Sequence, residues 1–220
     1  PTTDSSFKEW RSEAAAQGLE KPTRAVCCYP REAGFIEAIT GLIEPVLEKA
    51  KNRESAQETP RLLFSAHGLP EKIVAKGDPY QKQTEMTAEA IVTALEETEG
   101  VSGLDWAVCY QSRVGRLKWI DPSLDDELER AAVDGKAVIV VPIAFVSEHS
   151  ETLVELDIEY RKMADELGIP GYHRVPTVGA DAAYISALAR IVADAAKEGP
   201  DIDSADGGRQ CPFEHGQCPL

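Results

Sequence analysis

The sequence predicts an α/β fold, in which a parallel sheet carries helices on both faces. Short apolar runs alternate with segments whose apolar residues recur at helical spacing, which is typical of strands joined by crossover helices. The run 137–145 is almost continuously apolar, as expected of a parallel strand that is buried on both faces. Two apolar runs lead directly into segments that contain His67 and His149, so both histidines are expected at the strand ends, where such sheets bind ligands.

Five strands are predicted from the apolar runs. Pro30 closes the first of them. Their predicted ranges are 24–29, 61–66, 105–110, 137–145 and 172–175.

Five helices are predicted between and after these strands. Pro45 is expected to kink the first, Asp78 to cap the second, Ser123 to cap the third and Gly168 to stop the fourth. The predicted ranges are 34–50, 79–100, 123–135, 151–167 and 181–197, with loops over 51–60, 67–77 and 111–122.

Composition excludes several classes of protein. The net charge of −15 and the absence of a basic patch argue against a nucleic-acid partner. No apolar stretch is long enough to span a membrane and the first residues are polar, so we expect no membrane span and no secretory signal, while peripheral membrane contact stays open. The acidity and the odd number of cysteines, five, indicate a reducing, cytoplasmic location. Cys27, Cys28 and Cys109 are expected to be plain buried thiols.

The segment Ser65–Pro70 (SAHGLP) holds the first candidate site residue. Gly68 and Pro70 indicate a tight turn that would fix the ring of His67 at the end of a strand. A neutral imidazole can accept a proton or bind a metal at neutral pH. A purely structural, hydrogen-bonded histidine is the alternative.

The second candidate set is His149 with Glu151, Glu155 and Glu159. The three glutamates recur every four residues on a predicted helix, where like charges repel by about 0.2–0.5 kcal/mol per pair. None has a Lys or Arg at i+4, so a cation is expected to offset the repulsion. The alternatives are a carboxylate favoured by the helix dipole, for Glu151, and a solvated face, for the other two.

Together these side chains could take up protons or hold a divalent cation. The sequence contains no H-E-x-x-H, no phosphate-binding loop G-x-x-x-x-G-K-[ST] and no G-x-G-x-x-G, so zinc-protease and nucleotide-binding interpretations lose support. The residues alone therefore favour an α/β enzyme that handles a metal.

Four segments together resemble the ferrochelatase family. They are Ser65–Pro70, Tyr110–Gly115 (YQSRVG), Trp119–Ser123 (WIDPS) and 141–160, and the resemblance extends to about Ala196. It implies a Rossmann-like, chelatase-like lobe and a lyase of haem (porphyrin) biosynthesis that inserts Fe²⁺, its metal substrate, into protoporphyrin IX to form protohaem and releases two protons.

The same resemblance implies roles for individual residues. His67 would be the active-site histidine that receives pyrrole protons or meets the metal, with Glu151 as its acidic partner and His149 beside it. Glu155 and Glu159 would continue a polar path for the metal or for protons. Trp119, Gln111 and Ser112 would contact the porphyrin substrate.

Family members are longer at the N-terminus, so the resemblance implies a truncated chain. It divides the chain into the end of a first lobe (1–21), a second lobe (22–178), a C-terminal helix (179–197) and a flexible cysteine-containing tail (198–220). Some ferrochelatases hold a [2Fe–2S] cluster through C-terminal cysteines and one from earlier in the chain. Cys211 and Cys218 resemble part of that arrangement, but four thiolates are usual, so we expect a disordered tail rather than a cluster.

Two alternative functions stay open from the sequence. One is a chelatase for another metal or tetrapyrrole, such as cobalt or coproporphyrin. The other is a non-catalytic carrier of tetrapyrrole or metal. The oligomeric state is not predicted.

Overall fold

Four parallel strands form the central sheet in the computed structural model, which describes residues 2–53, 59–100, 102–197 and 199–220. The strand order is β3-β2-β4-β5, and every neighbouring pair is parallel, which confirms the predicted α/β architecture. The strands are β2 (Arg61–His67), β3 (Trp106–Gln111), β4 (Val138–Pro142) and β5 (Tyr172–Arg174).

Helices cover both faces of this sheet. In chain order they are α1 (Thr2–Ala16), α2 (Ala33–Arg53), α3 (Glu71–Val74), α4 (Tyr80–Glu99), α5 (Leu124–Val133), a π-helix (Glu151–Tyr160), α6 (Arg161–Glu166) and α7 (Ala182–Ala195). The predicted start at Ser123 is confirmed, since its hydroxyl accepts a hydrogen bond from the backbone N–H of Asp126. The predicted stop of α4 is also confirmed by Gly100, which adopts a positive φ of 64°.

Alternate residues of the strands enter two separate cores, as the period of two along a strand requires. In β2, Leu62, Phe64 and Ala66 pack towards α2 and α4, while Leu63 packs towards α5. All four are fully buried. Burying one large aliphatic or aromatic side chain contributes about 1.5–3 kcal/mol. The strand β2 therefore stabilises the cores on both faces of the sheet.

Two predicted elements differ from the structure near the chain ends. The run 24–29 is not part of the central sheet, because only β1 (Ala25–Val26) is a strand and it pairs with β6 (Ile202–Asp203). The tail is not a free linker in its described part, since β6 pairs with β1 and both Cys211 and Cys218 are buried. These pairings join residues far apart in the sequence, so no local pattern predicts them.

Two further differences concern loops. The predicted loop 51–60 starts as helix, because α2 continues to Arg53, and residues 54–58 lie outside the described residues. The predicted loop 67–77 contains the short helix α3.

The acidic segment is helical, but its first part is not an α-helix. Residues Glu151–Tyr160 form a π-helix, in which N–H groups bond five residues back, before α6 continues as a regular helix. π-Helical turns are rare and occur frequently at functional sites. The sequence pattern predicts a single helix over 151–167 and does not distinguish these two forms.

Within the described residues, no helix combines the length and the apolar character needed to cross a bilayer.

Candidate active site

The carboxyl edge of the central sheet brings the predicted site residues together. His67 ends β2 and Gln111 ends β3, and the two residues are direct partners in the parallel register. The π-helix begins a few residues beyond the end of the neighbouring strand β4. Three consecutive strands of the sheet therefore contribute to one site, as the sequence predicts for a parallel sheet.

His67 and Glu151 form the centre of this site. The Nδ1 atom of His67 lies 2.8 Å from Oε2 of Glu151, and the side chains are 43% and 35% exposed. Behind the histidine, the hydroxyl of Tyr80 donates to the backbone carbonyl of His67 at 3.0 Å. The pair is thus fixed from within the protein and still open to a substrate.

Glu155 lies one step further along the π-helix and is held by neutral donors. Its carboxylate accepts hydrogen bonds from the backbone N–H of Ser112 (2.8 Å), the hydroxyl of Ser112 (2.6 Å) and Nε2 of Gln111 (3.1 Å). The Ser112 hydroxyl also lies 3.3 Å from Oε2 of Glu151, which joins the two carboxylates into one network. Among the residues that the structure describes, no Lys or Arg forms an ion pair with either glutamate.

Gln111 has a different position from the one that the resemblance implies. Its side chain is 0% exposed, its Oε1 atom accepts a 2.7 Å hydrogen bond from the hydroxyl of Ser65, and its Nε2 atom donates to the backbone carbonyl of Glu151 at 2.9 Å. A side chain buried in this way cannot contact a porphyrin directly. The implied substrate contact of Gln111 is therefore corrected to an internal, structural contact.

His149 lies beside Glu151, as the sequence predicts, but it contacts the backbone of Glu151 and not the carboxylate. Its Nδ1 atom accepts a hydrogen bond from the backbone N–H of Glu151 at 3.0 Å, and its ring packs edge-on against Phe145 with ring centroids 4.9 Å apart. Thr152 completes this first turn by accepting from the backbone N–H of His149. His149 thus stabilises the start of the π-helix, where backbone N–H groups lack helical partners.

Trp119 lies against the turn that follows His67. Trp119 pairs with Pro70 in an antiparallel bridge, and a Cβ atom at Gly68 would lie 3.2 Å from the indole ring. A larger residue at this position would press on the indole, so glycine favours the close approach. The indole N–H is buried without a hydrogen-bond partner in the described part of the chain.

Glu159 is not joined to this network. It is exposed near the end of the π-helix, and the structure, over its described ranges, gives it no hydrogen bond to the Glu151–Glu155 pair. Over the same ranges, no three histidine, cysteine or acidic side chains converge as a metal site. The metal-binding roles of His67, Glu151, Glu155 and Glu159 therefore stay predictions.

Four cysteines form a second cluster, here called the cysteine quartet: Cys27, Cys28, Cys211 and Cys218. The Sγ atoms of Cys27 and Cys28 lie 3.3 Å apart, and the pairing of β1 with β6 brings the tail alongside them. Nε2 of Gln83 lies 3.4 Å from the Sγ atom of Cys211.

Burial and neighbouring thiols raise the pKa values of two members of the quartet. The pKa of Cys28 is raised by its contact with Cys27, by burial and by the charges of Cys27, Cys211 and Cys218. The pKa of Cys211 is raised by burial and by Cys218 and Cys27, against a smaller lowering by Gln83. The expectation of plain buried thiols is confirmed for Cys28 and for Cys109, which lies in the other core where burial raises its pKa, whereas Cys27 is only partly buried.

Three residues of these two clusters were missed in the sequence. Ser65 could have been noticed, because a polar residue interrupts an otherwise apolar strand. Tyr80 and Gln83 carry no such signal, because they are ordinary residues in the first turn of an amphipathic helix.

A parallel α/β chain with a histidine and carboxylates at its strand ends defines a protein equipped to handle protons and a cation. The comparisons with known proteins give the family. The Ferrochelatase family model matches residues 1–196, and the chain belongs to the ferrochelatase family.

Curated relatives agree over nearly the whole chain. A ferrochelatase of Caulobacter vibrioides (strain NA1000 / CB15N) is 46% identical over 218 residues, which are 99% of this chain and 59% of that protein. A ferrochelatase of Phenylobacterium zucineum (strain HLK1) is 46% identical over 219 residues, with the same coverage. One from Pelagibacter ubique (strain HTCC1062) is 42% identical over 218 residues, 99% of this chain and 60% of that protein. The chain thus spans about 59–60% of the length of these relatives.

Proposed function

We propose that this chain carries the metal-insertion site of a ferrochelatase, a lyase that inserts Fe²⁺ into protoporphyrin IX to form protohaem in haem biosynthesis. The single observation that carries the proposal is the 2.8 Å contact between Nδ1 of His67 and Oε2 of Glu151 at the carboxyl edge of the sheet. Membership of the family and the absence of cationic partners around the carboxylates, among the described residues, support it.

His67 would accept the pyrrole protons one at a time at Nε2, passing the first to solvent before the second leaves. When Glu151 is ionised it can only accept hydrogen bonds, so Nδ1 of His67 would donate to it, and in a neutral ring Nε2 would be available to take up a proton. Two pyrrole protons must leave as iron enters, and a positioned base typically contributes about 10²–10⁴-fold to such a step. The exposed fraction of the ring supports access of a substrate to Nε2.

Glu151 and Glu155 would attract the metal substrate. No Lys or Arg is among their hydrogen-bond donors within the described residues, so no such cation cancels their negative charge. Fe²⁺ accepts carboxylate and imidazole ligands. Glu159 would extend the acidic surface along the same helix, and Trp119 and Ser112 would lie closest to the macrocycle.

The experiment uses a chimaera in which this chain replaces the matching region of the Caulobacter vibrioides ferrochelatase, so that the remaining length of the relative is supplied. Fe²⁺, Co²⁺ and Zn²⁺ are offered anaerobically with protoporphyrin IX or coproporphyrin. We expect protohaem as the main product, and a loss of about 100-fold in rate for Glu151→Gln. A matched control is Glu129→Gln, an exposed glutamate of α5.

Each alternative function has its own result in this screen. Preference for coproporphyrin or for cobalt would indicate a chelatase with another substrate. Porphyrin binding without metal insertion, in a folded chimaera, would indicate a non-catalytic carrier and would overturn the proposal.

We also propose that the cysteine quartet holds a [2Fe–2S] cluster. Four thiolates are the usual ligand set, and the quartet supplies four thiols in place of the two expected from the tail. The vicinal pair has its sulfurs 3.3 Å apart and lies beside the two tail cysteines, so the four thiols are on the same side of the molecule. Such a cluster, when bound, supplies a one-electron redox centre.

The cluster proposal is tested by anaerobic reconstitution of the chain with iron and sulfide. We expect a visible absorption band with two irons per chain, lost in Cys28→Ser and Cys218→Ser and kept in Cys109→Ala, whose thiol lies in the other core. A colourless parental chain after reconstitution would contradict the proposal.

Peripheral membrane contact is proposed for the loop 113–118. Val114 is 73% exposed and Leu117 49% exposed, and Arg116 lies between them. An apolar tip with a cation suits an anionic bilayer surface. In co-sedimentation with phosphatidylglycerol vesicles, Val114→Asp should reduce binding, whereas Val133→Asp, at a more exposed position on α5, should not. Equal binding by both variants would contradict the proposal.

A cytoplasmic location is also proposed and is tested by cell fractionation.

A further inference from the structure

Glu155 is satisfied by hydrogen bonds that leave its charge intact. Three donors contact its carboxylate, and all three are neutral: the backbone N–H and hydroxyl of Ser112 and the side-chain amide of Gln111. An arginine at this place would satisfy the same oxygens and also cancel their charge. Neutral donors fix the position of a carboxylate without making it unavailable to a cation.

The amide of Gln111 is fully used, and its orientation is determined. Its Oε1 atom accepts from the hydroxyl of Ser65, and its Nε2 atom donates both to the backbone carbonyl of Glu151 and to Oε2 of Glu155. A flipped amide would aim an oxygen at two acceptors. Because the Ser65 hydroxyl can donate to Oε1, it fixes the orientation in which Nε2 faces the π-helix.

Both residues are fully buried, so they act behind the site. Ser65 belongs to β2 and Gln111 ends β3, so the pair links two strands of the sheet to the first turns of the π-helix. In this way the rigid sheet determines where Glu151 and Glu155 lie relative to His67.

We propose that Ser65 and Gln111 are positioning residues for the metal substrate: they hold Glu151 and Glu155 in place and negatively charged so that a divalent cation can bind there. This inference rests on the proposed function, since it deepens the role of the same site. It assigns the two residues to metal capture rather than to contact with the porphyrin.

The test substitutes each residue and separates the two substrates. Gln111→Met keeps the size of the side chain and removes both donors, and Ser65→Ala removes only the hydroxyl that orients the amide. In the chimaera, we expect the KM for Fe²⁺ to rise about 10- to 100-fold for Gln111→Met, as is typical when a group behind a metal ligand is lost. The KM for the porphyrin should change less than about twofold by the same reasoning, because neither residue reaches the macrocycle.

Ser65→Thr restores a hydroxyl and should recover the parental KM for Fe²⁺. Two controls match the chemistry elsewhere: Gln17→Met changes an exposed glutamine, and Thr40→Val removes a buried hydroxyl that has no partner in the described residues. Neither control should alter either KM.

A second readout does not require turnover. Co²⁺ binding to the isolated chain is followed by visible absorption in a background where Cys27, Cys28, Cys211 and Cys218 are all changed to Ser, so that thiols do not contribute and the affinity of the carboxylate site is reported. We expect Gln111→Met and Ser65→Ala to weaken it and Ser65→Thr to retain it, with circular dichroism showing that each variant is folded.

The outcomes separate this inference from the proposed function. A parental chimaera that inserts no iron, together with weaker Co²⁺ binding in Gln111→Met, would overturn the proposed function and support the positioning role. A working parental chimaera whose folded Ser65→Ala and Gln111→Met variants keep the parental KM for Fe²⁺ and the parental Co²⁺ affinity would overturn the positioning role. A rise in the porphyrin KM alone would overturn it as well.

Discussion

Two sets of carboxylates occur along the same acidic segment, and they differ in whether a cationic side chain binds them. Glu148 and Asp157 both bind Arg174, with N–O distances of 2.7–2.8 Å. Glu151 and Glu155 lie between them in the sequence but bind only His67 and neutral donors. The first pair shares the charge of one arginine and serves the fold. The second pair keeps its charge and is available to a cation.

The pKa values of Glu148 and Arg174 fit this contrast. Burial raises the pKa of Glu148, but hydrogen bonds and the charge of Arg174 outweigh burial, so its pKa is lowered overall. Burial lowers the pKa of Arg174, but Asp157 and Glu148 raise it by more than burial lowers it, so the guanidinium stays charged. The contact between Arg174 and Glu148 therefore stabilises the charged forms of these two residues in the folded state.

Removal of Arg174 should have the largest effect on stability. Arg174→Met leaves two carboxylates without their cation, and breaking a largely buried pair costs about 3 kcal/mol. Urea unfolding of the chain should show this loss, while the Co²⁺ affinity of the folded variant stays parental. A variant that is as stable as the parent would show that these ion pairs do not support the fold.

Removal of charge from the other set should affect metal binding. Glu155→Gln removes the charge and replaces one of the two accepting oxygens by an N–H donor that faces Ser112 or Gln111, so we expect a loss of about 1 kcal/mol of stability. We also expect a loss of about tenfold in Co²⁺ affinity, equivalent to about 1.4 kcal/mol. Asp157→Asn is the matched control on the same π-helix and should lose stability but not metal affinity. The reverse pattern would contradict the division into two sets.

Tyr80 offers a finer test of how the site is supported. Its hydroxyl donates to the backbone carbonyl of His67, and burial raises its pKa to about 12, so it remains a donor at neutral pH. Tyr80→Phe should cost about 1 kcal/mol of stability, the net contribution of one hydrogen bond. Thermal unfolding measures this, with Tyr172→Phe on β5 as a second buried hydroxyl for comparison. An unchanged melting temperature in Tyr80→Phe alone would show that the contact is not needed.

The smallest expected effect is on the pH dependence of stability. The folded-state pKa of Glu148 is lowered, so its contribution is present above the ordinary glutamate pKa and is lost as the pH falls through the lowered value. The parental chain should therefore lose stability on acidification in that range. Arg174→Met should show a shallower dependence, and equal slopes in urea titrations at several pH values would contradict this assignment.

The sequence predicts the central sheet well because β2, β3 and β4 are apolar runs that can be recognised in the sequence without knowing which strands they pair with. It predicts His67 and Glu151 as neighbours because both follow parallel strands. It does not predict the π-helix, since the apolar spacing of 151–167 suits both helical forms.

Long-range pairing explains what the sequence could not predict in the tail. Cys27 and Cys28 meet Cys211 and Cys218 only because β1 pairs with β6, and two residues of strand carry no periodicity. The role of Gln111 was also hidden, because the motif that contains it indicates a functional position but not whether the side chain faces the substrate or the interior.

The most direct test of the account is the anaerobic rate of iron insertion by the chimaera with His67→Ala, measured beside His173→Ala on β5 as the control histidine. Loss of the Nε2 base predicts a fall of about 100-fold or more for His67→Ala and little change for the control in folded protein. Insertion by His67→Ala at the parental rate would contradict the claim that this histidine accepts the pyrrole protons.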